Sequence, residues 1–177
     1  ILIFKNKFEG LIFLNIPLIL FHLFVLIPLF NVGDKVRQLP LRNVANLLVE
    51  SQKKNEPIMM IGVAKPSIHF YTNKVIVYEG NTPRNLVNAS ERLNYEQRRG
   101  WTPQPLDAST SSTTTLVVID NKTSKLKHWE GLNPKLLGNY GIYKVWRLDR
   151  FALQARSEDI VNSGIVSNWR MPKPERY

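Results

Sequence analysis

Leu11-Ile-Phe-Leu-Asn-Ile-Pro-Leu-Ile-Leu-Phe-His-Leu-Phe-Val-Leu-Ile-Pro-Leu-Phe30 is the stretch on which the reading of this chain turns. Sixteen of its twenty residues are apolar, the exceptions being Asn15, Pro17, His22 and Pro28, and none is charged. At about 1.5 Å per residue, twenty helical residues cover roughly 30 Å, the thickness of a bilayer's hydrocarbon core. Sixteen apolar residues at about −0.4 kcal/mol each favour insertion by roughly 6 kcal/mol, less a few for Asn15, His22 and the prolines. The segment therefore reads as one transmembrane helix over 11–30.

Before it, Ile1-Leu-Ile-Phe4 is a short apolar run, and Lys5 to Gly10 is a polar loop. Residues 1–10 read as the end of a preceding span and its loop, so that the chain is the C-terminal end of a longer polytopic protein. A processed or misassigned start is the alternative. A secretory signal peptide fits poorly, because the apolar run is too long and no small-x-small cleavage site follows it.

About 145 of the 177 residues follow the span, enough for one small domain with its own core. The formal charge is +10. Lys5 and Lys7 are balanced by Glu9 and Asp34, so the excess lies from Lys35 onward. Such a surface suits anionic lipid, a phosphorylated ligand or nucleic acid. No arginine-rich helix, zinc-finger spacing or RNA-binding aromatic motif occurs, so lipid or lipid phosphate ranks above nucleic acid, and an ordinary solvated basic surface stays open. There is no cysteine, which excludes disulfides, thiolate nucleophiles and cysteine metal sites. The positive-inside rule counts two lysines before the span against Lys35, Arg37 and Arg42 after it and does not choose a side.

Working outward from the span, Leu39–Lys53 carries Leu41, Val44, Leu48 and Val49 at helical spacing, with Pro40 in the first turn. Pro57–Val63 is a continuous apolar run, the pattern of a strand buried on both faces. Pro66–Tyr71 reads as a short helix leaving that strand, and Val75–Tyr78 as a second strand. Asn81-Thr82-Pro83 has the pattern of a helix cap followed by proline, and the helix extends to about Arg98. Trp101–Thr115, rich in Pro, Ser and Thr, reads as a loop. Leu116–Ile119 is a third strand. Thr123 can cap a short helix bearing Leu126 and Trp129, Asn139–Gly141 is a turn, and Ile142–Leu148 is a fourth strand. This alternation predicts an α/β fold, with the membrane helix followed by a small, largely parallel α/β soluble domain over 35–150. Residues 151–177 read as a polar tail, partly disordered.

No catalytic signature is complete. His22, His69 and His128 lie far apart, with no metal-ligand spacing between them, and no glycine-rich phosphate loop or nucleophile elbow occurs. His22 reads as a polar residue facing a neighbouring helix, ahead of a proton or ligand role. Asn88-Ala-Ser90 and Asn121-Lys-Thr123 fit the glycosylation acceptor pattern, which is common by chance. The most informative stretch is Gly62–Tyr71, where a central strand gives way to a helix at the mouth of an α/β sheet. Lys65 offers a cation, Ser67 a capping hydroxyl, and His69 and Tyr71 polar rings. The plainer alternative is that Pro66 and Ser67 merely start a helix and Phe70 packs inside.

The apolar span, the Leu39-Pro-Leu-Arg42 helix and Glu56-Pro-Ile-Met-Met-Ile-Gly-Val-Ala-Lys-Pro-Ser-Ile-His-Phe-Tyr-Thr72 together resemble the C-terminal end of cyanobacterial membrane glycosyltransferases. That group is similar to the aminoarabinose and protein-mannosyl transferases of GT-C architecture. The resemblance covers roughly 11–148 and rests mainly on 56–72 and on element order.

The resemblance implies an integral enzyme of the plasma or inner membrane that moves a sugar from a polyprenyl-phosphate carrier to an acceptor it does not specify. The α/β domain would lie on the extracytoplasmic side. It also implies a catalytic carboxylate far upstream, so no catalytic residue carries over to this chain, which alone would be inactive. Lys65, with Lys35, Arg37 and Arg42, would help hold the carrier phosphate or the lipid surface, and Ser67, His69 and Tyr71 would stand beside Lys65. The expected partners are membrane lipid and the lipid-linked donor, with no nucleic acid. No cofactor is expected within this chain, and a divalent metal in the whole enzyme is left open. A single-pass anchored ligand-binding or sensor domain, or a module that braces a membrane complex, remains the alternative.

Overall fold

A computed structural model describes residues 7–98 and 112–171. The chain divides into two compact units, 1–40 and 41–177. In the first, α1 (Lys7–Phe21) passes through a π-helical turn at His22–Leu26 into α2 (Ile27–Gly33), and a second π turn covers Asp34–Gln38. Each π turn ends two residues before a proline, Pro28 or Pro40. A proline lacks the N–H that would reach the carbonyl four residues back, and a widened turn relieves the mismatch. His22 is satisfied within its own helix, Nδ1 lying 2.8 Å from the Leu18 carbonyl oxygen. The helical segment Asn15–Ser51 contains an 18-residue window of mean hydropathy 2.2, none of it buried. It is long and apolar enough to cross a membrane.

The second unit is an α/β sandwich built on a five-stranded sheet. Its elements are α3 (Leu39–Ser51), β1 (Ile58–Ile61), α4 (Ser67–Thr72), β2 (Ile76–Glu79), α5 (Pro83–Arg98), β3 (Thr114–Asp120), β4 (Lys135–Tyr140), β5 (Tyr143–Asp149) and α6 (Arg150–Asn162). The strand order is β2-β1-β3-β5-β4. The α/β expectation holds, and the sheet is mixed. β1 runs parallel to both β2 and β3, with Ile58 opposite Ile76 and Leu116. β5 runs antiparallel to β3 and to β4.

Side chains alternate between the faces of each strand. Met59 and Ile61 of β1 join Val117, Ile119, Trp146 and the apolar sides of α5 and α6, whereas Ile58 and Met60 join Leu116, Val118, Val145 and the Leu41-Val44-Leu48 stripe of α3. Every residue of β1 is therefore buried, as its unbroken apolar run requires.

Three departures from the sequence reading matter. Lys135–Tyr140 is a strand that the sequence reading lacks, and its Asn139 and Tyr140 fall where that reading puts a turn, which lies at Gly141 and Ile142. This is an edge strand, mostly exposed, with an irregular register between Leu136 and Gly138, so it lacks the apolar alternation that marks a strand in sequence. Thr123 caps no helix, and two 3₁₀ turns, Thr123–Lys125 and Lys127–Trp129, take its place. Residues 151–162, read as the start of a polar tail, belong to α6, which the Asp149 side chain caps by accepting from the Phe151 N–H at 2.7 Å. Leu153 and Ile160 bury its inner side. The readings of 1–6, of 101–111 as loop and of 172–177 as tail lie outside the described residues; within them, Lys7–Gly10, read as loop, open α1, and Thr114 and Thr115, also read as loop, begin β3.

Candidate functional site

The connections of β1 and β2 leave toward opposite faces of the sheet. After β1 the chain enters α4, whose Ile68 packs with α3, and after β2 it enters α5 on the other face. Divergence at the carboxyl ends of adjacent strands opens a crevice, the usual ligand position in an α/β sheet. Here it is a cleft of about 710 Å³, its walls including Gly62 and Ala64 after β1, Tyr78 to Gly80 at the end of β2, Thr82 to Asn85 entering α5, and Ile165 and Asn168. That volume falls within the range of small-molecule sites.

The cleft has a fixed polar floor. The buried Glu79 carboxylate pairs with Arg92, Nη1 to Oε1 2.6 Å, and the same nitrogen donates to the Tyr78 carbonyl at 2.9 Å. Glu79 Oε2 accepts from the amide nitrogens of Asn85 and Asn88 at 3.3 and 3.4 Å. Asn88 in turn donates to Asn168 Oδ1 at 3.0 Å and accepts from the Asn168 backbone N–H at 2.9 Å. The start of α5 is closed by a reciprocal cap: the Asn85 N–H reaches Thr82 Oγ1 at 3.3 Å and the Thr82 N–H reaches Asn85 Oδ1 at 3.1 Å.

Residues 165–171 form a strap across α5. Glu91 Oε2 accepts from the Ser167 hydroxyl at 2.7 Å and from Trp169 Nε1 at 2.8 Å, and the Arg170 guanidinium lies 4.9 and 5.3 Å from the ring centres of Trp169 and Tyr95. The strap supplies Ile165 and Asn168 to the cleft.

The residues singled out from the sequence are not gathered in this cleft. Its wall takes Gly62 and Ala64 from the β1–α4 connection rather than Lys65, Ser67, His69 or Tyr71. The Lys65 carbonyl accepts from the Tyr78 hydroxyl at 3.4 Å. Ser67 opens α4 and makes no capping hydrogen bond, the cap position being Pro66. His69 Nδ1 is bound to the Lys74 carbonyl. Tyr71 packs against the α3 face of the core, with the Arg42 guanidinium 5.8 Å from its ring centre. Lys35 and Arg37 stand on the second π turn of the first unit. Phe70, read in one alternative as buried, is 82% exposed.

Residues 51–164, from the end of α3 through α6, match the family described as cyanobacterial RgtA-type glycosyltransferase, C-terminal domain. The chain belongs to this family. A structural comparison finds ArnT from Cupriavidus metallidurans in the apo state, with a TM-score of 0.38 and 11% identity, covering 61% of this chain. The chain spans only about a fifth of that protein's length, 20%. No curated protein matches the chain.

Two further constellations in this RgtA-type domain are structural. Gly62 has a φ of +87°, and a Cβ there would lie 2.2 Å from Asp120 Oδ2 and 2.5 Å from Thr123 Oγ1. Only glycine lets the chain leaving β1 pass so close to the end of β3. Burial pushes the Asp120 carboxyl upward, but bonds from the Thr123 hydroxyl and the Thr123 and Lys122 N–H groups outweigh it and hold its pKa below the ordinary value. At the opposite end of β1, the buried Glu56 accepts from Arg147 Nε at 2.9 Å, Arg147 Nη2 at 3.0 Å, the Lys53 N–H at 3.0 Å and the Thr114 hydroxyl. Burial opposes its charge, and these donors outweigh burial and lower its pKa.

Among the described residues no three His, Asp or Glu side chains converge as a metal cage would require. The cleft's defining residues carried little sequence signal. Glu79 is the last residue of a short apolar strand, Asn88 is one of many polar residues in α5, and Asn168 lies in what reads as a tail. The one usable sign was Asn81-Thr82-Pro83, which marks where α5 starts.

Proposed function

We propose that this chain is the C-terminal part of an integral membrane glycosyltransferase that transfers a sugar from a polyprenyl-phosphate donor to an acceptor outside the cytoplasm. The observation that carries this reading is the family match over 51–164, supported by the apolar helical segment that precedes it. The soluble unit lies on the extracytoplasmic side in this reading. The expected chemistry is inverting: a carboxylate upstream of this chain deprotonates the acceptor, and cations stabilise the departing phosphate. Lys35, Arg37 and Arg42, with Lys65, hold that phosphate or the lipid around it. Ser67, His69 and Tyr71 stand near Lys65 in this reading as lesser contacts. No catalytic residue is assigned within the chain, and the chain alone is inactive.

The test is sugar transfer from a polyprenyl-phosphate donor in membranes containing the full-length enzyme. Charge reversal at Lys35, Arg37 and Arg42 raises the donor KM with a smaller change in kcat. An unchanged donor KM removes those three from phosphate binding. Transfer by residues 1–177 alone overturns the placement of the carboxylate upstream.

The cleft at the ends of β1 and β2 favours a second reading, an anchored ligand-binding domain. In that case Arg84→Glu at the cleft mouth changes binding of a small ligand, and the full-length protein transfers no sugar.

A further inference from the structure

α4 carries, near its end, an aromatic ring that its own unit does not cover. Phe70 is the most exposed of the large apolar side chains among the described residues. A single exposed apolar residue is ordinary, but the surroundings of Phe70 are not. The Tyr71 ring meets it edge-on, centroids 5.8 Å apart, and the Arg42 guanidinium faces the Tyr71 ring. Lys74, exposed, follows Phe70 by four residues, and its carbonyl is held by His69. Val75, beside Lys74, is itself about half exposed, at 46%. An aromatic and an aliphatic side chain flanked by two cations matches the bilayer interface, where rings enter the headgroup layer and Lys or Arg pair with lipid phosphate. A protein partner fits less well, because lysine is depleted from the cores of protein interfaces.

Chain connectivity adds a second, independent constraint. Arg42 follows Phe30, the last residue of the apolar stretch, by only twelve residues. Even fully extended, that length of chain reaches about 40 Å. The corner that carries Arg42, Tyr71 and Phe70 is therefore tethered within reach of a bilayer surface.

We propose that this corner of the soluble unit, Phe70 and Val75 flanked by Arg42 and Lys74, docks into the headgroup region of an anionic bilayer. The docking rests on the reading of 11–30 as a membrane span. It would fix the soluble unit against the lipid surface from which a lipid-linked donor is drawn.

The absence of cysteine makes the test clean, since any introduced cysteine is the sole labelling site. Residues 1–177 are placed in nanodiscs of phosphatidylcholine with phosphatidylglycerol. A nitroxide is attached at Phe70→Cys or Val75→Cys, at Leu23→Cys within the span, or at Phe151→Cys, exposed on α6. Collisions with oxygen, which concentrates in lipid, are compared with collisions with a water-soluble nickel chelate. Labels at 70 and 75 favour oxygen, as the label at 23 does, whereas the label at 151 favours nickel. Replacing phosphatidylglycerol with phosphatidylcholine weakens the oxygen preference at 70 and leaves 23 unchanged. Nickel preference at 70 and 75 with oxygen preference at 23 overturns the docking and leaves the span standing. Nickel preference at 23 as well overturns both. Low collision with either reagent at 70 means a protein cover and overturns the bilayer as occupant.

Discussion

Arg92 Nη1 lies 2.6 Å from Glu79 Oε1 beneath the cleft, and the carboxylate is the more deeply buried partner, with 5% of its side chain exposed against 17% for the arginine. The pair also joins consecutive elements, β2 and α5, at the point where the cleft opens. Removing the cation leaves a carboxylate that cannot regain full hydration. Arg92→Met is therefore expected to destabilise the chain by about 2–3 kcal/mol, below the loss for a fully buried pair because Arg92 touches solvent. Urea midpoints of the detergent-solubilised chain measure this. Glu79→Gln should cost less, since the amide oxygen still accepts from Arg92.

Glu56 predicts a pH dependence. Its pKa in the folded chain lies below the ordinary 4.5. A carboxyl depressed on folding stabilises the fold fully above its unfolded pKa, and that stability is lost as pH falls through the folded value. The stability gap between the wild type and Glu56→Gln should therefore be constant near neutrality and shrink as pH drops below about 4.5. A gap that is unchanged in acid would show that Arg147 and the Lys53 N–H do not favour the charged form.

At Gly62 the expected loss has two parts. Gly62→Ala meets both a positive φ and the oxygen atoms of Asp120 and Thr123. The cost should exceed the roughly 1 kcal/mol of a glycine replaced in an incompatible conformation. Asp120→Ala has a cost of its own, since it strands the Thr123 hydroxyl and the Lys122 and Thr123 N–H groups, but it removes part of the clash and leaves the backbone strain. The loss on Gly62→Ala should therefore be smaller in the Asp120→Ala background than in the wild type, without vanishing, in thermal unfolding of the four proteins.

Asn168 tests whether the strap is part of the soluble unit's fold. It exchanges two hydrogen bonds with Asn88 and is 6% exposed. Asn168→Ala removes one acceptor of the buried Asn88 amide, while the backbone N–H of residue 168 and Glu79 still bond it, so it should destabilise by about 1 kcal/mol. Hydrogen exchange at the backbone amides of 165–171 should then quicken more than exchange in β1.

The elements legible in the sequence were those whose burial is written in their own residues. The run Ile58–Ile61 is apolar throughout because both of its faces are covered, and Thr82-Pro83 announces a helix by chemistry local to four residues. β4 was illegible because an exposed edge strand need not alternate, and Lys135-Leu-Leu-Gly-Asn-Tyr140 does not. α6 was hidden for a related reason: its two burying contacts, Leu153 and Ile160, are separated by polar residues that leave only a weak stripe. The cleft was legible in position, at the carboxyl end of the first strand, but not in composition. Its polar floor joins Glu79 of β2 to Arg92 and Asn88 of α5, and Asn168 completes it only after the strap folds back over α5.

That strap separates two notions of what a domain is. The family match ends at residue 164, one position before Ile165 and four before Asn168, and it begins at residue 51, after the α3 side chains that fill one side of the core. The segment shared across the family is thus smaller than the segment that folds. A coding segment cut at the boundaries of common ancestry would discard a helix and one wall of the cleft, and any ligand screen run on that piece would be probing a pocket with a side missing.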